Sequence, residues 1–194
     1  MMETQNKSSN GVRGEEVKVA NKRSVNCSEF VLRLLAFAFT LVAAIVLGVD
    51  KQTKVVPIQV VPTLPPLSVP VTAKWKYLSA FVYLVVTNAI TCSYAALSLV
   101  LTLSTMGKKK GFSLALIILD LVMLALLFSS IGAATAVGFI GYEGNSHVRW
   151  NKVCNVFDKF CHQVAASLAM SLLGAFAYLL LIVLAAMKLH KKYE

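Results

Sequence analysis

Acidic residues are scarce in this chain: nine Asp and Glu stand against nineteen Lys and Arg, and all charged residues together make up only 14% of the sequence. Proline is confined. All five prolines (Pro57, Pro62, Pro65, Pro66 and Pro70) fall in one segment, so none breaks a helix elsewhere. Four cysteines are too few for a disulfide-built scaffold. No glycine-rich nucleotide loop is present, and no nucleophile, base and orienting group sit together. His147 and His162 lie near cysteines at a spacing that matches no zinc pattern. These absences argue against an enzyme, and the expectation is no cofactor and no metal.

What the chain has in quantity is apolar residue, at 57%. It is gathered into four runs, about 30–49, 77–106, 111–141 and 163–187. Each matches or exceeds the ~20 residues that a helix needs to cross ~30 Å of hydrocarbon. In lipid the backbone must satisfy its own hydrogen bonds, so the runs are expected as helices. A soluble domain of this length has nowhere to bury four such runs. The predicted fold is therefore all-α, a four-helix transmembrane bundle over 30–187. A polar, disordered segment (1–29) is expected before it and a short tail (188–194) after it. No signal-peptide core precedes Phe30, so the first span is expected to serve as an uncleaved signal.

Sidedness follows from Lys and Arg near the helix ends. Lys7, Arg13, Lys18, Lys22 and Arg23 precede the first run, Lys108, Lys109 and Lys110 lie between the second and third, and Lys188, Lys191 and Lys192 follow the fourth. With four crossings these regions share a face, and their charge places both termini in the cytoplasm. The net charge of +10 clusters at the ends of the apolar runs, which reads as attraction to membrane lipids rather than to nucleic acid. The Asn6 and Asn26 glycosylation patterns are then cytoplasmic and unused. Cys27, just before a span, is a palmitoylation candidate or a plain free thiol.

The two loops on the other face differ. In the first, proline excludes helix and favours extended chain, and the intervening β-branched residues suit a short edge strand. It is too apolar for free exposure to water and is expected to lie across the helix tops or to meet a partner. The second carries a turn at Gly144-Asn145-Ser146 and the pair Cys154 and Cys161. These cysteines either close a small disulfide loop, which an outward-facing position favours, or remain free on a helix extension. Trp75, Tyr77, Tyr142 and Trp150 suit an interfacial aromatic belt.

Inside the spans, small residues recur at four-residue spacing: Asn88, Cys92 and Ala96; Ser130, Ala134 and Gly138; Ser167, Ser171 and Ala175. Such stripes bring helices close in lipid, and Asn88 is expected to bond across helices. Asp120 is stranded in the third run. A carboxylate at the bilayer centre costs ~2.5–3.5 kcal/mol on the mildest scale, so it needs a partner, and Arg33 in the first run is the candidate. The second and third runs are each ~45 Å long at 1.5 Å per residue, more than the bilayer requires. A helical hairpin projecting into the cytoplasm moves Asp120 to the level of Arg33. The alternatives are an arginine that snorkels to lipid phosphate and a protonated acid bonded to a hydroxyl.

At these residues the sequence resembles the Casparian strip membrane protein-like (CASP-like) family, group 1, four-helix plant proteins related to the MARVEL fold. The resemblance runs from Val31 onward. It rests on Leu32-Arg33-Leu34-Leu35-Ala36-Phe37, Ala43-Ala44-Ile45-Val46-Leu47-Gly48, Ala73-Lys74-Trp75, Ala80-Phe81-Val82-Tyr83, Asp120 and Val148-Arg149-Trp150-Asn151-Lys152-Val153-Cys154. It implies a basic residue in span one matched to an acid in span three, as Arg33 and Asp120, and a pair of loop cysteines. It further implies a multi-pass plasma-membrane protein that forms homodimers and heterodimers and recruits partners for cell-wall modification. Strip-building members carry an aromatic-rich first outer loop, whereas here that loop is proline-rich. A channel or transporter subunit using Asp120 is the competing function.

Overall fold

The computed structural model describes residues 27–58, 67–104, 110–144, 147 and 152–193. Among them four helices are long and apolar enough to cross a membrane. They are α1 (Cys27–Gly48), α2 (Ser79–Ser104), α3 (Lys110–Glu143) and α4 (Asp158–Tyr193). Between α1 and α2 lie strands β1 (Lys51–Ile58) and β2 (Leu67–Lys74), followed by a short 3-10 turn, Trp75–Tyr77. The first 26 residues, with both glycosylation-pattern asparagines, lie outside the described set, as do Lys108, Lys109 and Trp150.

The helices bury one narrow face each. On α1 the fully buried residues are Ala36, Thr40, Ala43 and Leu47, a three-to-four spacing that keeps them on one side. On α2 the buried set is Phe81, Leu84, Thr87, Asn88, Thr91, Ala95 and Ser98. The other faces carry large exposed apolar side chains such as Leu34, Ile45, Leu97, Ile118 and Leu180. In the most apolar window of α3 only 22% of residues are buried inside the protein. In water that surface would be a severe aggregation liability; in a bilayer it is the solvated side. The chain is a multi-pass membrane protein.

Two apolar clusters fill the interior. One, toward the end carrying the termini, joins Ala36, Ala95, Leu124, Leu127, Ala175, Tyr178 and Leu181. The other, toward the hairpin end, joins Leu47, Phe81, Leu84, Ala134, Phe157, Phe160 and Val164. Lys188 of α4 donates to Glu29 of α1 at 3.1 Å, which puts the start of α1 and the end of α4 on one face of the bundle.

The structure extends the sequence reading at two places. The proline-rich loop holds two strands, paired antiparallel from Lys51↔Lys74 to Ile58↔Leu67. A two-stranded sheet consists only of edges, where strands admit proline, so it accommodates Pro57 and Pro70. Helix α4 starts at Asp158, before the apolar run begins, because polar residues at a helix end are held in the aqueous interface rather than excluded from the helix.

The small-residue stripes divide. Ser130, Ala134, Ser167, Ser171 and Ala175 are fully buried, but a Cβ placed on Gly138 would meet nothing within 4 Å. The tight crossing is elsewhere, at Gly174, where an added Cβ would lie 3.0 Å from Thr40 Cγ2. Gly174→Val is therefore expected to lose ~1–3 kcal/mol through overpacking. Gly138→Ala should leave stability unchanged or raise it by up to ~1 kcal/mol, from the better helix propensity of alanine. Thermal unfolding of the two variants in one detergent checks the contrast.

Candidate functional site

Three helices converge on Asp120. Arg33 stands ~9 Å along α1 from Cys27, and Asp120 ~15 Å along α3 from Lys110, at 1.5 Å per residue. Helix α3 runs for 34 residues, ~51 Å by the same rise, longer than ~30 Å of hydrocarbon requires, and its Asp120 lies level with Arg33 of α1. The guanidinium grips the carboxylate with both terminal nitrogens: Nη1 donates to Oδ1 at 3.2 Å and Nη2 to Oδ2 at 2.9 Å. Arg33 is 8% exposed and Asp120 1%. This two-point geometry is the strong form of an ion pair, and it is removed from both lipid and water.

A third group, which the sequence reading did not single out, completes the site. The Tyr94 hydroxyl on α2 donates to Asp120 Oδ1 at 2.7 Å. A phenol in the middle of an apolar run is itself the signal, since a buried O–H requires an acceptor. Tyr178 on α4 lies beside it, ring centroids 6.3 Å apart, and donates to the Thr91 carbonyl at 3.3 Å. Each of the four helices thus contributes one side chain to this level of the bundle.

A second polar layer lies nearer the hairpin end. Asn88 Nδ2 donates to Ser171 Oγ at 2.9 Å, and Ser171 Oγ donates to the Ser167 carbonyl. Ser167 Oγ donates to the Ala43 carbonyl of α1 at 2.9 Å. Asn88 is fully buried, so the layer ties α2, α4 and α1 together through groups that have no water to fall back on.

At the hairpin end Cys154 and Cys161 form a disulfide, with Cα atoms 5.7 Å apart. It links the chain after α3 to the first turn of α4, beside Phe160, whose ring lies 5.9 Å from that of Phe81. Trp75 is half-buried and its Nε1–H donates to the Gly48 carbonyl at 2.8 Å, capping the end of α1. Tyr77 and Tyr142 are 68% and 64% exposed. Lys74 sits 5.9 Å from the Tyr77 ring and Lys76 5.5 Å from the Trp75 ring, a setting suited to the boundary between lipid and water. Lys110 opens α3. Cys27 and Cys92 are free thiols. His162 faces Asp158 at 3.3 Å. Among the described residues no group of three or more His, Cys, Asp or Glu is placed to hold a metal ion.

The arrangement holds helices in register. Both oxygens of Asp120 are occupied by donors from two other helices.

Comparison with known proteins places these features in a family. The Casparian strip membrane protein domain matches residues 22–177. A CASP-like protein 1E2 of Vitis vinifera is 58% identical over 195 residues, covering 99% of this chain and 100% of that protein. A CASP-like protein 1E2 of Glycine max is 60% identical over 177 residues, 91% of this chain and 95% of its own length. A CASP-like protein 1E1 of Populus trichocarpa is 58% identical over 194 residues, 98% and 99% of the two chains. No solved structure matches the chain.

Proposed function

The chain belongs to the Casparian strip membrane protein domain family, as a CASP-like protein of group 1, and from that membership we propose that it is a non-enzymatic organiser of the plasma membrane. In this reading the bundle associates with copies of itself and with related four-helix proteins, and the assembled patch recruits partners that modify the adjoining cell wall. Both termini and the link between α2 and α3 face the cytoplasm, where Lys and Arg near the spans meet anionic lipid. The β1–β2 hairpin and the disulfide-closed loop face the wall.

One observation carries the choice of scaffold over conduit. Among the described residues, Asp120 is the one carboxylate in the middle of a span, and it is held by Arg33 at 2.9 Å and Tyr94 at 2.7 Å. An acid committed to two fixed donors on neighbouring helices serves packing. A proton or cation path instead needs an acid open to a water-filled cavity. The spans also lack proline, and broken helices are a feature of many transporter sites.

Purified protein in liposomes tests the reading. Two differently tagged copies are expected to co-purify after reconstitution, and ion flux is expected to equal that of protein-free vesicles. Flux that Asp120→Asn abolishes, in a protein that does not self-associate, overturns the scaffold in favour of transport.

A further inference from the structure

Asp50 is the anomaly of the hairpin end. It lies two residues past α1 and is 2% exposed. It is the one residue among those described whose buried side-chain oxygens find no hydrogen-bond partner, and both of its oxygens are in that state. Unsatisfied buried polar atoms are rare in folded proteins and call for an explanation. Asp50 also stands at the negative end of the α1 dipole, where a second negative charge is unfavourable. Two contacts bracket it. Trp75 Nε1–H reaches the Gly48 carbonyl at 2.8 Å, and Gln52 Oε1 accepts the Phe160 N–H at 2.9 Å. These bonds seat the hairpin on the ends of α1 and α4, on either side of Asp50 in the chain.

We propose that Asp50 makes the seating of the β1–β2 hairpin proton-dependent: the hairpin is docked while this carboxyl is neutral and lifts when it is charged. Burial without a partner penalises the charged form far more than the neutral one. The charge that opposes this penalty is Lys159, on the first turn of α4. None of the other charged groups at this end, Glu143, Lys152, Asp158, His162, Lys51, Lys54, Lys74 and Lys76, hydrogen-bonds the Asp50 carboxyl. Asp158 and His162 of α4 face each other. On the hairpin, Lys51 and Lys74 stand opposite one another in register, Lys54 is exposed, and Lys76 lies over the Trp75 ring. Desolvation outweighs Lys159 and pushes the Asp50 carboxyl up to about 6.

The sign follows from linkage. A carboxyl whose pKa is raised in the docked state binds a proton there that the lifted state releases. Docking is therefore fully favoured below the ordinary carboxylate range and is lost as pH rises through about 6.

Trp75 is the natural reporter, since it leaves a half-buried site when the hairpin lifts. The chain has two tryptophans, so Trp150→Phe in the full-length protein isolates it. In lipid nanodiscs titrated from about pH 5 to about pH 7.5, Trp75 emission is expected to move to the red in one step completed within ~2 pH units, as a single titrating group requires. Asp50→Asn, which mimics the neutral acid, should stay blue throughout. Lys159→Gln removes the charge that favours ionisation, and its step should move to higher pH. Asp50→Asn retains every histidine of the chain. A step that survives unchanged in Asp50→Asn, or a flat titration of the parent, overturns the proposal.

Discussion

Asp120→Leu alone is expected to cost the bundle ~3–5 kcal/mol, because removing one member of a buried ion pair strands the other. Arg33 has no neutral form to retreat to; its remaining course is to withdraw toward the headgroups, which pulls α1 out of register with α3. Arg33→Leu should be destabilising as well, leaving the buried Asp120 carboxyl with Tyr94 as its remaining side-chain donor. Tyr94→Phe removes a hydrogen bond to a charged group and should cost less, ~1.5–3 kcal/mol. Removing both charges together with bulky apolar residues, as in Arg33→Met with Asp120→Leu, should recover most of the loss, since a well-packed apolar pair is often as stable as a buried ion pair. Size-exclusion profiles and thermal unfolding in a single detergent distinguish these variants. The ordering matters more than any one value. The clasp account requires each single variant at Arg33 or Asp120 to be worse than the apolar double.

The second large effect lies at the opposite end. Cys154 and Cys161 are seven residues apart, and the entropy of closing so short a loop corresponds to ~2–3 kcal/mol. Cys161→Ser is expected to lower the unfolding temperature by ~5–10 °C for a chain of this size. The cost falls on one region. The bridge fixes the approach to α4, and Phe157 and Phe160 stand there in the core cluster with Phe81 and Leu47. Loosening it should expose backbone amides around Val153–Phe157 to hydrogen exchange while leaving those near Asp120 protected. Uniform loss of protection over the whole chain would mean that the bridge supports the global fold rather than its outer end.

Much of this architecture was legible in composition alone. Lipid leaves a backbone few options, so four apolar runs translate directly into four helices, and their ends lie within a few residues of the runs. The Arg33 and Asp120 side chains stood out because ionised groups in such runs are costly, and the excess length of the second and third runs supplied the depth at which they meet. What stayed hidden depends on which faces meet. Nothing local distinguishes Gly174, where an added Cβ would press on Thr40, from Gly138, where it would meet nothing within 4 Å, because both sit in apolar runs of similar composition. The burial of Asp50 was equally unreadable. Beside Lys51 it looks like an ordinary loop acid, and its burial emerges only in the folded chain. The second strand escaped notice because proline lowers strand propensity, and its position at an edge is a property of the sheet and not of the segment.

The organising claim is that opposite charges on the first and third spans lock the bundle, and exchanging them tests it most directly. Arg33→Asp and Asp120→Arg are each expected to abolish the monodisperse, thermally cooperative protein, since each places two like charges together in the interior. The double exchange Arg33→Asp with Asp120→Arg should restore a folded protein, with a coupling energy on the order of 2–3 kcal/mol between the two sites. If the double variant is as damaged as the sum of the singles, the two residues act independently, and the clasp is not what holds the first helix against the third.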